Sequence, residues 1–174
     1  MIVITAPDYE KIPQDCISIF LAGGIQKCDD WQLEIIEKFN TTHIPEGVCL
    51  LNPRRENFPI HDPNASEEQI TWEYNMLMNC DMFTMCFLDS ESDQPICFYE
   101  LGRYIEIIKQ RFPLSWQYRI VVSCDSKFRR VQDVIIQTKL ATGDRVKVNV
   151  CETSELITTH FNSILKNIKE GGEN

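Results

Sequence analysis

The sequence has no apolar run of the length that a membrane span requires. A bilayer-crossing helix needs about 20 apolar residues, and charged or polar residues interrupt every hydrophobic segment of this chain well before that length. The first residues also lack the basic start and apolar core of a signal peptide. We therefore expect a cytoplasmic protein that has no membrane partner.

The chain is also poor in positive charge. It has 17 lysines and arginines against 26 acidic residues, which gives a net charge of −9. Proteins that bind a nucleic-acid polymer need a basic face for the phosphates, so we expect no such partner. A small phosphorylated ligand is still compatible with this charge, because a few local donors suffice to bind it.

The eight cysteines do not form a metal or redox motif. No pair has zinc-finger spacing, and no Cys-x-x-Cys occurs. Most of them fall inside predicted strands or helices, where a free thiol acts as a small apolar side chain. We expect reduced thiols that fill the core, as is usual in the cytoplasm, with no metal site and no cofactor.

The order of predicted elements indicates the fold. A length of 174 residues suits a single domain, 1–174, with a substantial core. Strands are predicted at 2–5 (a short edge strand), 17–21, 48–51, 81–88, 118–124 and 146–151 (near an edge). Helices are predicted at 31–40, 66–79, from Pro95 onward, 129–141 and 154–169, followed by a frayed tail. This pattern predicts an α/β fold with one doubly wound, flavodoxin- or Rossmann-like sheet of about five parallel strands and helices on both faces.

The strand at 81–88 and the helix after it have the strongest functional pattern. The strand is continuously apolar, as in a parallel sheet that is covered on both faces. A polar loop at 89–94 follows, and Pro95 suits the first position of the next helix. Glu100 lies near the start of that helix among apolar residues. Ligands of open α/β sheets bind at the carboxyl ends of the strands, so this carboxylate is a candidate functional group.

A glycine turn follows the strand at 17–21. Its residues are Ala22, Gly23, Gly24 and Ile25, and Asp30 can cap the helix that comes next. Backbone N–H groups in such a turn can bind an anion or a ribose hydroxyl. The alternative is a tight strand-to-helix turn without a ligand.

Two further segments contain candidate polar groups. Arg54 and Arg55 follow the strand at 48–51 and could bind a carboxylate or phosphate. The alternative is a solvated basic pair, or a salt bridge to the acidic helix after them. That helix is predicted to begin at Ser66 with a capping box over 66–69. Glu73 lies between two aromatic residues of the same helix and is either a functional carboxylate or an ordinary exposed one.

Six short segments in this order resemble the nucleoside 2-deoxyribosyltransferase-like superfamily. They are FLAGGI at 20–25, DWQ at 30–32, LNPRR at 51–55, QITWE at 69–73, NCD at 79–81 and YELG at 99–102. More narrowly, the chain is similar to a small branch marked by Asn-Pro-Arg-Arg and Trp-Glu. The resemblance covers about residues 17–108, and the C-terminal third has no family motif.

The resemblance implies roles for particular residues. Glu100 matches the family nucleophile, and Glu73 matches the carboxylate that handles protonation of the base, as Glu in place of Asp. Asp93 is the nearest match to an aspartate that contacts the sugar, although the loop length differs by about one residue. The implied substrate-binding residues are Ala22, Gly23, Gly24, Ile25, Asp30, Trp31, Asn52, Arg54 and Tyr99. A homodimer or a higher even-numbered assembly is also implied, with the helix at 66–79 or its neighbour at the interface.

Three functions agree with these expectations. The first is cleavage of the N-glycosidic bond of a nucleoside, with transfer of the (deoxy)ribosyl group to another base or to water. The second is hydrolysis of a nucleoside 5′-monophosphate, with the arginines or the glycine turn binding the phosphate. The third is a non-catalytic module that senses a nucleotide. The partner in each is a small nucleoside or nucleotide.

Overall fold

The computed structural model describes residues 1–44, 47–59 and 61–172, the last of them by its backbone alone. Within these residues, six strands form one sheet in which every pairing is parallel. The strands are β1 (Ile2–Thr5), β2 (Cys16–Gly23), β3 (Gly47–Asn52), β4 (Met82–Phe87), β5 (Ile120–Asp125) and β6 (Val148–Cys151). The doubly wound α/β prediction is confirmed, with six strands rather than about five.

The spatial order of the strands is β1-β3-β2-β4-β5-β6. After β2 the chain moves to one side to form β3 and then crosses to the other side to form β4. The carboxyl ends of β2 and β4 therefore flank the topological switch point, where α/β sheets of this kind bind ligands. The predicted edge positions of β1 and β6 are confirmed.

Five α-helices are found within the described residues, and they cover both faces of the sheet. They are α1 (Trp31–Thr41), α2 (Ala65–Asn79), α3 (Pro95–Arg111), α4 (Val131–Thr142) and α5 (Thr153–Gly172). Buried side chains of α1 and α5 form one apolar cluster with the sheet. Those of α2, α3 and α4 form another on the opposite face.

The central strand β4 supplies both clusters because its side chains alternate between the two faces. Phe83, Met85 and Phe87 belong to the cluster with α2 and α3, whereas Met82 and Cys86 belong to the cluster with α1 and α5. Every residue of β4 is buried, as its unbroken apolar pattern predicts. Five of the eight cysteines are buried in the same way, as core residues.

Several predicted boundaries need correction. The capping box at 66–69 is wrong, because α2 begins at Ala65 and Ser66 lies inside the helix. Gly171 and Gly172 continue α5 instead of fraying, while Glu173 and Asn174 lie outside the described residues. The segment between the strand predicted at 48–51 and the helix predicted at 66–79 includes Ile60, which also lies outside them.

Helix starts with a clear local cause agree better with prediction. Pro95 is the first residue of α3. Asp30 caps α1, since its carboxylate accepts a 3.0 Å hydrogen bond from the backbone N–H of Leu33. Among the described helices, none combines the length and apolar character that crossing a membrane would require.

Candidate active site

A cavity of about 580 Å³ opens at the switch point between β2 and β4. Its walls come from the glycine turn after β2, from the face of α2 that includes Glu73, and from the first three turns of α3. We call it the switch-point cavity. Its position agrees with the expectation that a ligand binds beyond the carboxyl ends of parallel strands.

The glycine turn forms one wall because its backbone lies unusually close to its neighbours. Gly23 has φ +152°, and a Cβ added there would lie 2.3 Å from the carbonyl oxygen of Cys86. Only glycine fits such an approach. The predicted residues Ala22, Gly23, Gly24 and Ile25 all line the cavity.

Glu100 lines the cavity on the second turn of α3 and is partly buried. Burial and the nearby charge of Glu73 raise the pKa of its carboxyl group to about 8. The helix start, which favours a carboxylate, does not offset this loss of hydration. Within the described part of the chain, the carboxylate has no ion-pair partner.

Glu73 lines the same cavity from α2. Gln69, one turn earlier, donates a 2.7 Å hydrogen bond to Oε1 of Glu73 and another of 2.7 Å to the carbonyl oxygen of Pro53. This amide therefore fixes the carboxylate relative to the end of β3. Burial raises the pKa of Glu73, although the Gln69 hydrogen bond and the charge of Arg55 oppose the shift.

The two carboxylates together can hold one proton at neutral pH. Because burial and the charge of Glu73 both disfavour ionisation of Glu100, its carboxyl group loses its proton only near pH 8. Two carboxyl groups with one shared proton can act as a nucleophile or base and as an acid in the same site.

Arg103 lines another part of the cavity together with Tyr74, Tyr99 and Tyr104. The sequence patterns did not single out this arginine. Its guanidinium lies over the rings of Tyr74, Tyr99 and Tyr104, at 4.9, 6.0 and 5.6 Å from their centroids. The spacing of 96, 99, 100 and 103 places these residues on one face of a helix. That spacing is the sequence signal that would have found Arg103 once Glu100 was a candidate.

The loop before α3 contributes Gln94 rather than the predicted Asp93. Gln94 is buried, lines the cavity and donates from Nε2 to the carbonyl oxygen of Leu88 at 2.7 Å, while its Oε1 has no hydrogen-bond partner among the described residues. Asp93 does not line the cavity, and its carboxylate forms an ion pair with Arg129. The left-handed conformation of Gln94, φ 48°, was not apparent from the sequence.

Of the other predicted binding residues, Tyr99 lines the cavity and four do not. Trp31 is fully buried behind the glycine turn and donates from Nε1 to the carbonyl oxygen of Gly24 at 3.0 Å. Asn52 accepts a 3.0 Å hydrogen bond from the backbone N–H of Arg54, and Asp30 caps α1. These side chains hold the turns that shape the cavity.

Arg54 is the fourth, and its donors are used within the protein. Nη1 donates to the carbonyl oxygen of Asp29 at 2.7 Å, Nη2 donates to that of Cys28 at 3.0 Å, and Nε lies 3.5 Å from Oδ2 of Asp30. The guanidinium therefore fastens the end of β3 to the loop before α1. Arg54 is not among the residues that line the cavity.

Arg55 pairs with the acidic helix that follows it, which confirms the predicted salt bridge for this arginine. Its Nη2 lies 2.8 Å from Oε2 of Glu68 on α2, and its guanidinium lies over the ring of Phe58. Among the described residues, no group of three or more histidine, cysteine or acidic side chains is arranged to hold a metal ion.

Comparison with known proteins gives one family. A family model described as "Nucleoside 2-deoxyribosyltransferase like" matches residues 16–114, which is more than half of the chain. The match includes the glycine turn, the Arg54–Arg55 segment, α2, β4 and α3. No curated protein matches the sequence.

Proposed function

The chain belongs to the nucleoside 2-deoxyribosyltransferase-like family, and from that premise we propose that it cleaves the N-glycosidic bond of a nucleoside in the switch-point cavity. The (deoxy)ribosyl group passes through an ester with Glu100 to another base or to water. The observation that carries the proposal is that Glu73 and Glu100, from different helices, line one cavity at the switch point.

In the first step the ionised carboxylate of Glu100 attacks the anomeric carbon C1′. The C1′–N bond breaks, and its electron pair passes to the nitrogen of the leaving base. Glu73 in its acid form donates a proton to that base, so that a neutral molecule leaves. Departure of the base builds positive charge on the sugar, which a nearby carboxylate stabilises.

In the second step an acceptor attacks C1′ and the ester bond to Glu100 breaks. Glu73, now ionised, takes the proton of the incoming water or base. Below about pH 8 the pair retains one proton, which the raised pKa of Glu100 places on that carboxyl group in the absence of a ligand. The reactive form is the one in which this proton lies on Glu73 and Glu100 is ionised. Gln94 Oε1, buried at the cavity without a partner among the described residues, is suited to accept a hydrogen bond from a sugar hydroxyl.

The 5′-monophosphate alternative loses one of the two groups considered for binding the phosphate, the arginines, while the glycine turn still lines the cavity. Arg54 is bonded to backbone carbonyl groups and Arg55 to Glu68, and neither side chain lines the cavity. This engagement favours a nucleoside as the substrate. The sensing alternative differs from the proposal only in the absence of turnover, and the experiment below separates them.

The test is a panel of ribo- and 2′-deoxynucleosides, with and without a second base, assayed for free base by chromatography. Base release by the wild type, lost in Glu100→Gln and retained in Glu106→Gln, is the expected result. Glu106 is an exposed matched control on the same helix, paired with Lys109. Mass spectrometry of an acid-quenched reaction should find the sugar on the peptide that contains Glu100. Tight nucleoside binding without any base release would favour the sensing module.

A further inference from the structure

Arg103 is the one cation among the described residues that line the switch-point cavity. It forms no ion pair with any described residue, including the two carboxylates of the same cavity. Among the described residues, its only hydrogen bond is the one that Nη1 donates to the hydroxyl oxygen of Tyr99, at 3.3 Å. Most of its donors are therefore available to a ligand.

The surroundings of Arg103 favour a flat ligand. The guanidinium is held over the rings of Tyr74, Tyr99 and Tyr104, and the exposed rings of Tyr74 and Tyr99 also line the cavity. Aromatic rings and guanidinium groups both stack on nucleobases. A guanidinium has five donors and no acceptor, so it favours a ligand edge that presents acceptors only.

We infer that Arg103 selects the leaving base, and that it favours a 6-oxopurine over a 6-aminopurine. Adjacent O6 and N7 acceptors match the two-pronged geometry of arginine, whereas the amino group of adenine places a donor against a donor. The inference deepens the proposed function and rests on it for the assignment of the base to this end of the cavity.

The position of Arg103 places it on the base side of the cavity. It contacts Tyr74, the neighbour of Glu73 along α2, and Glu73 is the group that protonates the leaving base in the proposed reaction. The glycine turn lies against Gln94 in the loop before α3, and Gln94 is the residue that accepts a hydrogen bond from a sugar hydroxyl in the proposed reaction. We therefore assign the sugar and its 5′ end to the glycine turn, and the base to Arg103.

The experiment measures binding in the Glu100→Gln background, so that turnover does not enter the readout. Isothermal titration calorimetry compares 2′-deoxyinosine with 2′-deoxyadenosine, which differ at the base in the 6-oxo and 6-amino groups and in the N1–H that accompanies the 6-oxo group. We expect about tenfold tighter binding of 2′-deoxyinosine, as for a bidentate arginine contact. Adding Arg103→Met should abolish this preference, and Arg103→Lys should restore only part of it, because lysine is a point charge.

Arg130→Met is the matched control in the same background. Arg130 also lies over an aromatic ring, that of Phe98, and pairs with Asp133 outside the switch-point cavity. It should leave the preference unchanged. Equal binding of the two nucleosides, a preference that survives Arg103→Met, or binding of neither nucleoside would overturn the inference.

A further binding measurement, with a nucleoside 5′-monophosphate, tests whether Arg103 recognises a phosphate instead of the base. If Arg103→Met weakens binding of 2′-deoxyadenosine 5′-monophosphate and leaves the ratio of the two nucleosides unchanged, Arg103 binds phosphate and the inference is wrong. A preference that depends on Arg103, combined with no base release by the wild type, would remove the proposed function and keep the assignment of Arg103.

Discussion

Glu73 on α2 and Glu100 on α3 line one cavity, and burial together with the charge of Glu73 raises the pKa of Glu100 to about 8. The carboxyl groups come from helices that flank β4 in sequence, so the strand between them brings the helices to the same edge of the sheet. Because the two carboxyl groups titrate together, the rate of the proposed reaction depends on how many protons the pair holds.

Replacing Glu100 by Gln should lower base release at least about a hundredfold, because a covalent nucleophile is lost while its shape is kept. The measurement is kcat for free base on the best nucleoside. Glu106→Gln, on the exposed face of the same helix, should keep nearly wild-type activity. Equal rates for wild type and Glu100→Gln would rule out the mechanism.

The logarithm of kcat/KM should follow a bell-shaped curve with pH. Above about pH 8 both carboxylates are ionised, and no proton is available for the leaving base. At low pH both are protonated, and Glu100 cannot attack. In Glu73→Gln the rate should fall and the alkaline limb should disappear, because the group that donates the proton to the leaving base is gone. An alkaline limb that persists in this variant would assign it to another group.

The pH dependence of the free energy of unfolding should report the raised pKa of Glu100 without any substrate. The pKa of Glu100 is 4.5 in an ordinary setting and about 8 in the folded chain, so between these values the folded state holds more protons than the unfolded state. The free energy of unfolding then decreases as pH rises across this window and levels off above it. Glu100→Gln should be more stable than wild type at pH 9 by roughly 2–4 kcal/mol, and nearly equal to it below pH 4.

Chemical denaturation of both proteins from pH 4 to pH 9 measures this difference. Glu106→Gln, whose carboxylate is exposed, provides the comparison, and its stability should stay parallel to wild type at all pH values. A difference between Glu100→Gln and wild type that is independent of pH would mean that Glu100 has an ordinary pKa.

Arg54→Ala should act on folding rather than on substrate choice. The side chain donates to the carbonyl oxygens of Cys28 and Asp29, and losing charged hydrogen bonds should lower the free energy of unfolding by about 1.5–3 kcal/mol. The ratio of specificity constants for a nucleoside and its 5′-monophosphate should stay unchanged. Arg130→Ala, which removes an exposed surface pair, should cost at most about 1 kcal/mol. A selective loss on the monophosphate in Arg54→Ala would revive the 5′-monophosphate hydrolase.

Exposed apolar residues around the cavity make assembly testable. Ile70 and Ile96 are 64% and 63% exposed, and both line the cavity together with Tyr74 and Tyr99. We expect a homodimer or a higher even-numbered assembly that covers this rim. Light scattering at micromolar concentration should report it for the wild type, and Ile96→Asp should yield monomers. Leu140→Asp, at an exposed position on α4, is the control and should leave the assembly intact. A monomeric wild type would contradict the predicted assembly.

The sequence by itself determined the elements whose cause is local. The continuous apolar run of β4 indicates a strand buried on both faces, Pro95 marks the first residue of α3, and Asp30 caps α1. The resemblance added the pairing of Glu73 with Glu100, and both line one cavity. These features depend on neighbours along the chain or on motifs that are complete within a few residues.

Only the tertiary structure decided what the polar side chains contact. Arg54 and Arg103 are both arginines near predicted site residues, yet the first bonds to the loop before α1 and the second lines the cavity. Likewise Gln94 rather than Asp93 lines it, because a left-handed residue turns the loop just before α3. A long polar side chain has many rotamers of similar energy, and the partner that selects one of them is distant in sequence and is brought close only by the packing of the helices on the sheet.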